Sequence, residues 1–105
     1  MLFTCQQYFM NPKQFVVYIL TNPGHTVLYI GVTNNIFRRL QEHRNASSRT
    51  FAGKYHLSCL VYFETIENAY YAISREKQLK AGSRKKKLEL IESMNPHWED
   101  LSLKL

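Results

Sequence analysis

Two short runs of β-branched and aromatic residues, Phe15 to Leu20 and Val27 to Val32, flank the segment Thr21-Asn22-Pro23-Gly24-His25-Thr26. Such runs favour extended backbone, and Pro with Gly between them marks a reversal, so the pair predicts a β-hairpin. Leu57 to Phe63 is a third strand candidate. A helix is expected after the hairpin, with Thr33 or Asn34 as its cap and Ile36, Phe37 and Leu40 as its apolar stripe. Asn45 to Lys54 is polar and contains Gly53, which reads mostly as loop with a short turn around Phe51. Ile66 to Lys80 reads as the longest helix, broken at Ala81-Gly82-Ser83. Arg84 to Met94 forms another with Leu88, Ile91 and Met94 inward, ended by Asn95-Pro96 because proline disfavours a helical residue before it. Trp98 and Leu101 are expected to fold back over the core. The pattern is that of a compact α/β unit without repeats or a detachable linker.

At 105 residues there is room for one core. The formal net charge is +6, and Arg75 to Lys87 contains seven basic residues against one acidic residue, Glu76. That asymmetry favours a polyanionic partner, the plainer alternative being a solubilising helix face. Cys5 and Cys59 lack CxxC spacing, and Cys59 lies in an apolar run, as a buried reduced thiol of a cytoplasmic protein would. No apolar stretch approaches the ~20 residues that cross a bilayer, so no membrane partner is expected.

Glu76 stands among Ala69, Ala72, Ile73 and Leu79 on the apolar face of the long helix. A charged group there requires a cation, a metal or a strong donor opposite it. Candidates are Tyr18, Tyr29, Arg39 and His43. Alternation puts Tyr18 on the face of Val16 and Leu20, and Tyr29 on the face of Val27 and Gly31, so the hairpin register can bring the two phenols close. Arg39 and His43, four apart, share one margin of their helix, whereas Arg38 points away from it. No serine or cysteine is placed as a nucleophile, no glycine-rich phosphate loop is present, and the histidines lack zinc spacing. Phosphodiester hydrolysis fits this set better than proteolysis or redox chemistry, because it needs an activated water, a cation at the non-bridging oxygens and help for the leaving alkoxide.

The ordered string of motifs resembles the GIY-YIG family, the catalytic module of homing endonucleases and of a DNA-repair excinuclease, and within it the small standalone members. The matching residues are Tyr18 in Val16-Val17-Tyr18, the whole of Tyr29-Ile30-Gly31, Arg39 with His43, Glu76 in Arg75-Glu76-Lys77, and Asn95 near the end. One departure is plain: Val16 and Val17 replace the Gly and Ile of the family's first motif. The resemblance covers residues 14 to 101, leaving 1–13 as a short lead-in. It implies a small single domain with a central three-stranded, mainly antiparallel sheet flanked by helices. It also implies a divalent-metal-dependent endonuclease acting on DNA in preference to RNA, structure-selective at most on its own, or dependent on a protein partner for specificity. Under it Tyr29 activates or positions the attacking water, and Tyr18 bonds the water, the phosphate or Tyr29. Arg39 stabilises phosphate charge, or alternatively pairs with Glu42 or Glu64. His43 orients Tyr29, donates to phosphate or moves a proton, or else borders the core as a satisfied histidine. Glu76 ligates one Mg²⁺ or Mn²⁺, its alternative being an ion pair with Arg39 or Arg75, and Asn95 touches the site or caps a helix.

Lys80, Arg84, Lys85, Lys86 and Lys87 crowd the break between the last two helices and can track phosphates without reading bases. Arg38 and Arg44, with Arg49 and Lys54, extend the same field. Two rivals remain: a nucleic-acid binding module that keeps the scaffold without turnover, and a small protein-interaction domain whose basic helices meet an acidic partner.

Overall fold

The computed structural model describes residues 14–47 and 49–105, so the expected lead-in over 1–13 lies outside the described residues. The element order is β1 (Phe15–Thr21), β2 (Leu28–Thr33), α1 (Ile36–Arg44), α2 (Phe51–Tyr55), β3 (Cys59–Ile66), α3 (Ala69–Ala81), α4 (Arg84–Met94) and a closing 3-10 turn (Leu101–Lys104). The strands form one antiparallel sheet in the order β2-β1-β3, flanked by helices. Asn22 folds the hairpin: its Oδ1 accepts from the main-chain N–H of Thr26 and of Val27, each at 2.9 Å. A side chain that supplies a turn's missing acceptor in this way is the reason asparagine favours reversals.

The register pairs Tyr18 with Gly31 and Leu20 with Tyr29, which puts both phenols on one face of the sheet. That face, with Val16, Leu20 and Leu60, packs under Ile36 and Leu40 of α1 and is closed by Leu57, Leu101 and Leu105. The opposite face, with Val17, Ile19, Ile30 and Val61, packs against Ala72 and Leu79 of α3 and Ile91 of α4. A bulge in β3, where Ile19 pairs with Tyr62 but Leu20 with Leu60, leaves Val61 as an extra residue. Val61 and Tyr62 therefore both point to the second face, as the two residues of a bulge do.

Local chemistry moves several boundaries away from the sequence reading. Asn35, rather than Thr33 or Asn34, caps α1 by accepting from Arg38 N at 3.1 Å. The β-branched Thr65 and Ile66 stay in β3, and α3 starts only after Asn68, whose Oδ1 accepts from Tyr70 N and Tyr71 N. The inward face of α3 is carried by Ala72 and Leu79. Ala69 and Ile73, expected beside them, are exposed, and so is Met94 of α4. The segment read mostly as loop contains the helix α2. Its Gly53 is required by close approach, since a Cβ there would overlap the Ser47 carbonyl oxygen. Among the described residues no helix is long and apolar enough to cross a membrane.

Candidate functional site

Tyr18 is the hub of a polar cluster within an otherwise apolar layer. It is fully buried, yet its ring lies across Gly31 on the neighbouring edge strand, which carries the hydroxyl to the β2 side of the sheet. Only a residue without a side chain leaves that path open: a methyl on Gly31 would sit 2.5 Å from Tyr18 Cζ and closer still to Oη. Arg39 Nε donates to Tyr18 Oη at 3.2 Å, and His43 Nε2 lies 3.2 Å from the same oxygen. A guanidinium can only donate, so the hydroxyl accepts from Arg39; with the His43 ring proton on Nδ1 the hydroxyl donates to His43 Nε2, and with it on Nε2 the hydroxyl accepts a second time. Tyr29 completes the group, with its ring 6.4 Å from that of Tyr18 and 5.1 Å from that of His43.

The electrostatics follow from this burial. The Tyr18 phenol is raised above its ordinary value, first by burial and further by Tyr29 and Glu76, against the lowering effect of Arg39. It therefore stays protonated. Burial, and then the charge of Arg39, push His43 below 6.5 and keep its imidazole neutral near pH 7. The hydrogen bond with Tyr18 raises Arg39 further above the usual guanidinium value, so it remains a cation.

Glu76 arrives from the other layer, on α3. Its side chain is 16% exposed and pairs with Lys80 at 3.3 Å. The partner that the sequence demanded for this acid is thus one turn along its own helix. Arg75 turns elsewhere, to Glu64 at 2.8 Å, while Arg39 also holds Glu42 at 3.1 Å. Tyr62 donates to Glu64, and its own phenol, buried and beside that carboxylate, is pushed up to about 12. Two recesses flank Gly31 along the edge of β2. One includes Thr33, Arg39 and Ile73, the other Tyr29, Lys80 and Lys87. Ile73, Glu76 and Lys80 fall on one helical face, which puts Glu76 between the recesses and accounts for the negative field it exerts on Tyr18. The two recesses make a groove along the β2 edge, lined by the Arg39 guanidinium and the Tyr29 phenol, with Tyr18 and His43 buried behind it and the Glu76 carboxylate on the neighbouring helix.

The family profile described as GIY-YIG catalytic domain matches residues 14–89. The chain belongs to the GIY-YIG family. Within it, a UPF0213 protein of Clostridium perfringens is 40% identical over 77 residues, covering 73% of this chain and 82% of the relative. A UPF0213 protein of Syntrophus aciditrophicus is 42% identical over 84 residues, covering 76% and 91% respectively. The solution NMR structure of a UPF0213 protein from Bacillus halodurans is similar at a TM-score of 0.54 and 25% identity, covering 85% of this chain and 94% of that one. This GIY-YIG domain is thus akin to UPF0213 proteins rather than to a named endonuclease.

Tyr29 and Arg39 line the groove of the GIY-YIG domain, Tyr18 and His43 lie buried behind Arg39, and Glu76 stands on the helix face that carries Ile73 and Lys80, but Asn95 does not join them. Its amide donates to Val61 O at 3.2 Å and Glu99 O at 2.7 Å, and its Oδ1 accepts from Glu99 N at 2.9 Å. It satisfies the carbonyl of the bulged residue and ties the chain end to β3. Arg44 likewise turns away, donating to Ser58 O at 2.9 Å, Asp100 at 3.2 Å and Ser102 Oγ at 2.8 Å. Arg38 is exposed beside Glu42, and Arg84, Lys85 and Lys86 are exposed at the start of α4, where Ser83 caps the helix. Lys87, half-buried, reaches the Lys80 carbonyl at 3.4 Å. Phe51 and Thr33 line the groove without having been singled out for it. The signal in the sequence was an aromatic residue in an otherwise polar loop. Among the described residues no three His, Cys, Asp or Glu side chains come together as a metal-binding group.

Proposed function

We propose that this domain binds nucleic acid by its phosphate backbone along the β2 edge. The observation that carries the reading is the cationic Arg39, held by the buried Tyr18, in one recess of the β2 edge, and Tyr29 with Lys80 and Lys87 in the next. A planar guanidinium near the Tyr29 phenol suits phosphate oxygens, and the exposed Arg84, Lys85 and Lys86 suit neighbouring phosphates. Contacts of this kind read charge rather than sequence, so selectivity would come from nucleic-acid structure or from a protein partner. Family membership favours DNA over RNA.

A second reading, cleavage of the phosphodiester bond, is favoured by the neutral imidazole of His43 in contact with the Tyr18 hydroxyl. Arg39 would stabilise charge developing on the non-bridging oxygens, and Tyr29 would orient a water in line with the scissile bond. Tyr18, buried behind the groove, would fix the orientation of Arg39 by accepting from its Nε, with His43 on the same oxygen. A single, largely buried carboxylate facing the groove suits Mg²⁺ or Mn²⁺, which take one or two protein carboxylates and fill the rest of their shell with water and substrate oxygens. Glu76 would hold that ion, which supplies polarisation of the phosphate.

Purified protein incubated with supercoiled, branched and single-stranded DNA, with and without Mn²⁺, tests both readings. Binding that weakens steeply with salt and is lost in Arg39→Ala supports the first. Metal-dependent cleavage abolished by Glu76→Ala with binding retained supports the second. Binding without cleavage would leave the first alone standing, and no binding even at low salt would overturn both.

A further inference from the structure

Phe51 is 53% exposed and Tyr55 36%, two large rings turned to solvent from one short helix. Their rings lie 4.8 Å apart, and Phe51 stands 6.1 Å from Tyr29, so a file of aromatic rings leads from the polar cluster out to solvent. Cations accompany it: Phe51 shares its recess with Lys80 and Lys87, and Lys54 Nζ lies 5.5 Å above the Tyr55 ring. The base of the file is fixed. Gly53 packs directly on the Ala46-Ser47 main chain, Thr50 Oγ1 donates to Ser47 O at 2.9 Å, and Gly53 N donates to Thr50 Oγ1 at 3.1 Å.

We propose that Phe51 and Tyr55 are a stacking platform for unpaired bases, so that the groove takes a single-stranded segment of nucleic acid in preference to a duplex. The proposal rests on the phosphate-binding reading and names its substrate class. Exposed rings interleaved with lysines match the chemistry of a single strand, whose bases offer free faces beside their phosphates. A duplex stacks its bases on one another and offers the file only its backbone.

The test measures binding of the full chain to a labelled oligothymidine of about twelve nucleotides and to a duplex of the same length, at two salt concentrations. Phe51→Leu keeps apolar bulk and removes the π face. It is expected to weaken single-strand binding about tenfold, within the range for loss of one stacked base, and to weaken duplex binding by much less. Phe51→Trp is expected to restore it. Equal single-strand affinities for the wild type and Phe51→Leu, or equal losses on both probes, would overturn the platform. Salt-dependent duplex binding that persists in that case would leave the phosphate reading intact, whereas failure of the wild type to bind either probe would remove both.

Discussion

Gly31→Ala isolates the steric feature that carries the Tyr18 hydroxyl to the β2 side of the sheet. The new methyl would lie 2.5 Å from Tyr18 Cζ and 3.1 Å from Cε1, where carbon atoms at rest need about 3.5 Å. The ring must retreat by about an ångström into a layer already filled by Val16, Leu20, Ile36 and Leu40. Overpacking of this kind costs about 1–3 kcal/mol. The same retreat stretches the 3.2 Å contacts to Arg39 and His43 beyond hydrogen-bonding range, at about 1 kcal/mol each. Because no glycine among the described residues has a positive φ, alanine is conformationally acceptable here, and the smaller unfolded-state entropy returns about 0.4–1 kcal/mol. The expected net loss is about 2–5 kcal/mol, a fall in Tm of roughly 10–20 °C for a domain of this size. Urea unfolding of a double-mutant cycle measures it. In the Tyr18→Leu background the clash is gone, so Gly31→Ala is expected to be neutral or stabilising. An equal cost in both backgrounds, or none in the wild type, would refute the reasoning.

His43 has a folded-state pKa below 6.5 because its ring is buried and lies near Arg39. The unfolded chain then takes up a proton first as pH falls, so this group's stabilisation is complete above about pH 6.5 and is lost as pH drops through the depressed value. Urea midpoints across pH 5–8 for the wild type and His43→Asn should differ in slope in that window, and parallel curves would contradict the assignment. Arg44→Ala removes donors from Ser58, Asp100 and Ser102 and is expected to cost about 1–3 kcal/mol in urea unfolding. Its effect on the salt dependence of DNA binding should be small, whereas Lys85→Ala with Lys86→Ala should lower that slope by about two. Asn95→Ala leaves the Val61 carbonyl without its amide donor and should cost about 1–3 kcal/mol. Loss of DNA binding beyond the unfolded fraction would show that Asn95 reaches the groove after all.

The hairpin was legible because two β-rich runs around Pro23-Gly24 admit few other solutions, and alternation already allowed Tyr18 and Tyr29 a common face. What alternation could not supply was the register, which depends on how Asn22 closes the turn. The order of Arg39, His43 and Glu76 along the chain pointed to a shared site, but not to Glu76 arriving from the opposite layer at the edge of a sheet. That arrangement depends on Gly31 letting one side chain cross an edge strand. Apolar periodicity misread α3, because Ala69, Tyr70, Tyr71 and Ile73 are apolar or aromatic yet exposed, and the stripe that packs is shorter than the stripe that is hydrophobic. Arg44 and Asn95 look like site residues in sequence. Their polar groups instead satisfy β3 and the chain end: Arg44 serves the Ser58 carbonyl just before β3, and Asn95 the Val61 carbonyl at the bulge, demands visible only once the strands are paired.

The most direct test of the account is an NMR titration of ¹⁵N-labelled protein with a short single-stranded DNA at low salt. Amide shifts are expected to be largest along the β2 edge and its partners, at Gly31, Thr33, Arg39, Phe51 and Lys80, and to shrink together as salt rises. Shifts confined to the start of α4 around Lys85 and Lys86, with Gly31 and Arg39 unmoved, would contradict a phosphate site in the groove.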